Sequence, residues 1–223
     1  MTFSIVARSA DALLFGVAIA SSSPAVAARC SHARAGRGAV ATQNITDPAL
    51  GPQILDRLAV LPSGDALARV LAGTPYAAYR QVLAIGATGP PAVHSGAEAL
   101  GVVATALGPD AAAAGNLLAN PDVPRHMIEA FAAARGFLAG RLLAALQAGL
   151  AAGGEAGPVH SAGLLVVREL SWPIVDLRVD WAQDGPVAQL GLLWALYAPQ
   201  MDAYVQRALD PRLAPSFGVP GDP

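Results

Sequence analysis

Thr2-Phe3-Ser4-Ile5-Val6-Ala7-Arg8 opens the chain and reads as a β-strand, being β-prone throughout and free of glycine and proline. A second apolar run, Leu13 to Ala20, ends in Ser21-Ser22-Ser23. The short polar link Ser9-Ala10-Asp11-Ala12 predicts a β-hairpin of residues 2–8 and 13–21. A third run, Gly38-Ala39-Val40-Ala41-Thr42-Gln43-Asn44, brings Thr42, Gln43 and Asn44 to a strand end, a frequent address for functional side chains.

Thr2 is the residue in this stretch with chemical promise. When Met1 is removed, as is usual for an initiator methionine before a small residue, the Thr2 hydroxyl and a free α-amine share one residue. An amine with a near-neutral pKa can then act as general base for the otherwise poor hydroxyl nucleophile. A Met-Thr start alone is unspecific.

Several ordered segments carry a more specific signal. They are Thr2 to Arg8, Phe15-Gly16-Val17-Ala18-Ile19-Ala20-Ser21, Ala33 to Gln43, His94-Ser95-Gly96, Gly115-Asn116-Leu117-Leu118, Ser161 to Val167 and Asp176-Leu177-Arg178-Val179-Asp180. Together they resemble the domain of unknown function family 1028 over nearly the whole chain. The resemblance implies an N-terminal-nucleophile (Ntn) hydrolase-like fold of α+β class. That fold is a four-layer αββα sandwich, with two mainly antiparallel sheets faced by helices. Relatives usually carry glutamine where His160 stands, an apolar residue at Arg37 and an Asp-Pro-led turn at the first hairpin, so the chain departs from the pattern there. A fold does not fix a function.

The 223 residues suffice for one large core. We expect a single domain over residues 1–210 and an irregular proline-rich tail over 211–223. Hydrophobic residues make up 54% and charged residues 13%, which favours buried layers or a homo-oligomer. The 14 basic residues are all arginines, scattered through a chain of formal charge −2. That distribution argues against nucleic acid as a partner and excludes a lysine helper at any site. A lone Cys30 rules out an internal disulfide or multi-cysteine metal site.

Residues 12–27 admit a second reading, with Leu13 to Ala20 as the apolar region of a signal peptide and Ala25-Val26-Ala27 as its cleavage site. Thr2 would then be discarded. Asp11 beside the short apolar run, and a resemblance that starts at Thr2, favour the strand and a cytoplasmic protein. No run approaches the ~20 apolar residues of a membrane-spanning helix, so no membrane partner is expected.

Further along, residues 50–60 and 63–72 predict two helices, with Pro52 in a first turn and Ser63 as an N-cap. Residues 80–87 and 91–94 form a second hairpin, which 102–107 and 111–118 extend within the same sheet. The alanine run 111–114 has helical propensity, and the resemblance decides it as strand. Residues 121–134, capped by Asn120, and 137–152 read as amphipathic helices. Strands at 162–168 and 175–181 precede a helix over 187–209 that Pro199 kinks or breaks.

An enzymatic reading makes Thr2 the attacking group and nominates Asn116, Gln43 and Asn44 to bind the oxyanion or substrate. Asn116 is equally a turn residue after Gly115. Ser21 would hold the Thr2 amine or hydroxyl, or make a structural hydrogen bond. Arg34 would anchor a substrate carboxylate or form a loop salt bridge. His94 would serve as acid, base or ligand, or hold one structural hydrogen bond. Asp176 and Asp180 share a strand face. No pair of histidines has metal-ligand spacing, so no metal or other cofactor is expected. Two readings follow: an Ntn amidohydrolase cleaving a small amide or related acyl-nitrogen bond, or a non-catalytic Ntn-like module for ligand binding or assembly.

Overall fold

The computed structural model describes residues 1–216. The first half runs β1 (Thr2–Arg8), β2 (Phe15–Ser21), α1 (Val26–Cys30), β3 (Ser31–Arg34), β4 (Gly38–Asn44), α2 (Leu50–Arg57), α3 (Ser63–Leu71), β5 (Arg80–Gly86) and β6 (Ala92–Ser95). The second runs β7 (Ala104–Leu107), β8 (Ala111–Asn116), α4 (Val123–Ala133), α5 (Leu138–Ala151), β9 (Ser161–Val167), β10 (Val175–Val179), α6 (Pro186–Tyr197) and α7 (Met201–Leu209). A six-stranded sheet has the order β10-β9-β2-β1-β8-β7, and a four-stranded sheet the order β3-β4-β5-β6. Every pairing in both is antiparallel.

Alternation along the strands builds the layers. Phe3, Ile5 and Ala7 point from β1 into a core with Met127 and Phe131 of α4 and Leu142 and Leu146 of α5. Val6 points the other way and packs with Val17, Ala39, Ala41, Leu83, Ile85, Ala112 and Ala114 between the two sheets. Val40, Val82 and Ala84 face outward from the second sheet onto Ile54 of α2 and Leu67 of α3. The layer order is helices, sheet, sheet, helices. A one-residue slip of β1 would turn Phe3 and Ile5 away from their helices. At about 1.5–3 kcal/mol per buried side chain of this kind, the register of β1 is firmly set.

Several sequence expectations need correction. Residues 104–107 and 111–116 do not extend the sheet of the second hairpin; β8 pairs with β1 and so lies in the first sheet. Between β2 and β4 the chain forms α1 and β3, which carry too little apolar alternation to be read from sequence. Strand β2 starts at Phe15 because the Asp11 carboxylate accepts from Ser9 Oγ and Leu13 N, holding a wider turn with Ala12 at φ 55°. Ser63 is the first residue of α3 and not its cap; its Oγ accepts from Gly86 N at 3.1 Å. Asn120 likewise does not cap α4 but accepts from Asp122 N, an Asx turn leading into it. Pro199 breaks the long C-terminal helix, as expected, into α6 and α7 around a 3-10 turn at Ala198–Gln200.

Of the tail, Pro211–Leu213 form another 3-10 turn, and the expectation for residues 217–223 lies outside the described residues. No helix among the described residues is long and apolar enough to cross a membrane.

Candidate active site

Parity decides which of the expected residues meet. Thr2 and Ser4 alternate with Phe3 and Ile5, so they face the second sheet, and the register extends this polar row sideways. Thr2 lies opposite Ser21 on β2 and opposite Asn116 on β8, and Ser21 lies opposite Ser161 on β9. The facing row on the second sheet is Gln43 of β4, Gln81 of β5 and Ser95 of β6. Thr2, Ser4, Ser21, Gln43, Gln81, Asn116 and Ser161 are all buried. A polar end thus closes the otherwise apolar space between the sheets.

One hydrogen-bonded chain joins the rows. Ser4 Oγ donates to Gln43 Oε1 at 2.6 Å, and Gln43 Nε2 donates to Gln81 Oε1 at 2.7 Å and to Ala114 O at 3.2 Å. Gln81 Nε2 donates to Gly115 O at 3.1 Å and to Ser95 Oγ at 2.9 Å. Gln81 Oε1 also accepts from Asn116 Nδ2 at 3.1 Å. Backbone oxygens can only accept, so Ala114 and Gly115 fix the amide orientations of both glutamines. Asn116 must then present its amide nitrogen to Gln81, which leaves Oδ1 buried without a partner. Such an orphan acceptor in a native interior calls for an explanation.

Around Thr2 the geometry converges on Met1. Thr2 Oγ1 and Ser21 Oγ each donate to the Met1 carbonyl oxygen at 2.5 Å, and the two hydroxyl oxygens lie 3.2 Å apart. Ser21 Oγ accepts from Ser23 N at 3.1 Å, so its proton is directed at that carbonyl. The Met1 side chain lies against Gly157, where an added Cβ would meet Met1 Cε at 3.0 Å. With Met1 in place Thr2 is only 6% exposed.

Sequence reasoning passed over Glu155, the one acid in the Gly153-Gly154-Glu155 turn after α5. It is 4% exposed, and Ser22 N donates to both of its oxygens, at 3.0 and 3.1 Å. Burial pushes its pKa up to about 7, opposed by the positive charge of the chain's amino terminus and by the Ser22 hydrogen bonds. The carboxyl group therefore lies within electrostatic reach of that amine. Nothing local in the sequence marks this acid, because its burial comes from a long-range contact of its turn with Leu117 and Leu118. Ser4 and Gln81 were likewise missed. Their signal was a polar residue inside an apolar strand, on the parity of Thr2 and of Gln43 respectively.

The remaining expected residues lie elsewhere. Arg34 has the opposite parity to Ala33, faces α2 and pairs with Asp56 at 2.5 Å. His94 lies opposite Val82 on the helix-facing side and bonds Ala77 O at 3.0 Å through Nε2. Asn44, at φ 71°, donates to Tyr79 O at 2.5 Å and accepts from Leu100 N at 3.2 Å, tying two loops together. Gln43 does reach the cluster, but both its amide hydrogens are engaged by Gln81 and Ala114. No group of three or more metal-binding side chains is found among the described residues.

The model of a family described as "Family of unknown function (DUF1028)" matches residues 2–190. The chain is similar to the crystal structure of protein SPO2555 from Silicibacter pomeroyi, itself assigned to DUF1028. The identity is 30%, the TM-score 0.81, and the match covers 88% of this chain and 89% of that one. It is also aligned with Anbu (ancestral beta-subunit) from Yersinia bercovieri at 11% identity over 91% of this chain and 97% of that one, with a TM-score of 0.39, a likeness too slight to carry an argument. No curated protein matches the chain.

Proposed function

The chain belongs to the family of unknown function DUF1028, and within that family we propose that it is an Ntn-type amidohydrolase whose nucleophile is Thr2 after loss of Met1. The observation that carries the proposal is the convergence of the Thr2 and Ser21 hydroxyls on one oxygen, the Met1 carbonyl. The Ntn-like assignment of the fold is supported by the helix, sheet, sheet, helix order and by Thr2 opening a central strand on the face between the sheets. One domain over residues 1–210, acting on a small-molecule substrate in the cytoplasm, belongs to the same reading.

In this mechanism removal of Met1 frees the Thr2 amine and both hydroxyls together. Thr2 Oγ1 attacks the carbonyl carbon of a small amide while its proton passes to the α-amine. The oxyanion takes the place of the Met1 carbonyl oxygen, with Ser21 Oγ–H as donor and the second Asn116 Nδ2 hydrogen available to it. The leaving amine takes the proton back as the carbon–nitrogen bond breaks, leaving an ester on Oγ1. Water, deprotonated by the α-amine, then releases the carboxylic acid and restores Thr2. Asn116 Oδ1 supplies an acceptor for an N–H of the α-amine or the substrate. Glu155 sets the charge around the amine. Gln43 and Gln81 position Asn116 and do not touch the reacting atoms.

A second reading, a ligand-binding or assembly module without catalysis, is favoured by one observation. The Thr2 hydroxyl is already engaged by Met1 and Ser21, as in a purely structural cap. Screening the purified protein against a panel of small amides separates the two. The enzyme reading expects hydrolysis that falls by at least about 10²-fold in Thr2→Ala; equal rates in protein and variant would favour the module.

A further inference from the structure

Helix α6 is apolar on every side: its 12 residues include no charge and a single amide side chain, Gln189. Such a helix belongs in an interior. One side of it does pack on the core through Val187 and Leu190, yet Leu192 is 72% and Leu196 66% exposed. These two leucines border a groove of about 440 Å³ closed on its far side by Arg178, Val179 and Trp181, with Trp181 49% exposed. The groove thus runs along the seam between α6 and β10, and β10 is an outer strand of the six-stranded sheet with no neighbouring strand on its free side among the described residues.

The sequence of β10 says what fits there. Val175-Asp176-Leu177-Arg178-Val179 reads as a charge palindrome about Leu177. A two-fold axis through Leu177 sets the strand antiparallel to its own copy, with Asp176 opposite Arg178 of the second copy and Val175 opposite Val179. Opposite charges directly across a strand pair stabilise it, and like charges destabilise it. Asp176 and Arg178 already point to one face, where Arg178 Nε and Nη2 hold the two Asp176 oxygens at 2.8 Å each. Pairing the copies would join these two charges with two more in an alternating square. None of the other edge strands, Ser31–Arg34, Ala92–Ser95 or Ala104–Leu107, opposes charge with opposite charge in this way.

We infer that β10 and α6 form a self-complementary surface for a second copy of this chain. The two six-stranded sheets then run on as one across the seam, and the exposed leucines of α6 pack on those of the other α6. The two-fold relation makes the contact closed and self-limiting, and it removes an exposed edge that would otherwise invite aggregation. The surface lies on the opposite side of β9 and β2 from Thr2, so the polar cluster remains outside it.

The test is light-scattering mass of the full chain after size exclusion, with circular dichroism to confirm folding. The expected wild-type mass is twice the 22.5 kDa of the chain. Arg178→Asp places acid against acid and Asp176→Arg places base against base, so each variant alone should run at the single-chain mass. Mixed in equal amounts they should regain the doubled mass, because each strand again meets its complement. Leu192→Glu should also run as a single chain. A single-chain mass for the wild type overturns the proposal, whatever else covers the groove. So does an assembly that Leu192→Glu leaves intact, or a mixture of charge variants that does not reassociate.

Discussion

Ser21 Oγ lies 3.2 Å from Thr2 Oγ1, and both hydroxyls donate to the carbonyl oxygen of Met1 at 2.5 Å. Ser23 N donates to Ser21 Oγ, which directs the Ser21 proton at that carbonyl. In the proposed mechanism Ser21 is therefore an oxyanion donor set in place before any substrate arrives. Ser21→Ala should therefore lower kcat by about 10²-fold, the usual loss of one oxyanion donor, with KM near the wild-type value. Steady-state kinetics on the amide found by screening checks this. A variant with unchanged kcat would make the Ser21 hydrogen bond structural.

Gln81 is the shared acceptor of Gln43 and Asn116. In Gln81→Leu the Asn116 amide nitrogen loses that acceptor in a fully buried place, which costs about 1–3 kcal/mol of stability. Denaturant unfolding should show the loss as a lowered midpoint with an unchanged slope. Activity should fall as well, since Asn116 would be free to turn; a variant of wild-type stability would mean that the chain of amides is not held as described.

Glu155 gives a pH dependence of definite sign. Its pKa is raised by burial to about 7 from the ordinary 4.5, so between these values the folded protein holds a proton that the unfolded chain has lost. Its contribution to stability is fully present below pH 4.5 and is lost as pH rises through 7. Glu155→Gln lacks this titration. The variant should match the wild type near pH 4 and exceed it by roughly 3 kcal/mol at pH 8, measured by denaturant midpoints at both values. A variant no more stable than wild type at pH 8 would mean the carboxylate is well paired when ionised.

Much of this was legible in the chain. The alternation of Phe3, Ile5 and Ala7 against Thr2, Ser4 and Val6 already separates a helix face from a sheet face, and Pro199 already breaks the last helix. What the sequence left open was which sheet each strand joins. Ala111 to Ala114 carries no pattern that distinguishes pairing with β1 from pairing with β6, because four methyl groups suit either neighbour. Site assembly depends on that pairing, since it sets Asn116 beside Thr2. Parity could have excluded Arg34 and His94 once β4 and β5 were assigned: they share the face of Val40 and Val82, which pack on helices. Glu155 was hidden because its burial comes from the turn after α5 folding back onto Leu117 and Leu118, a long-range contact with no local signature.

The central claim is that Thr2 is a competent amino-terminal nucleophile, and intact-mass spectrometry before and after treatment with a β-lactone tests it most directly. The account predicts a protein lacking Met1 that gains one adduct, mapped to Thr2 and absent from Thr2→Ala. Retained Met1, a free Thr2 that never reacts, or an adduct that persists in Thr2→Ala would contradict it.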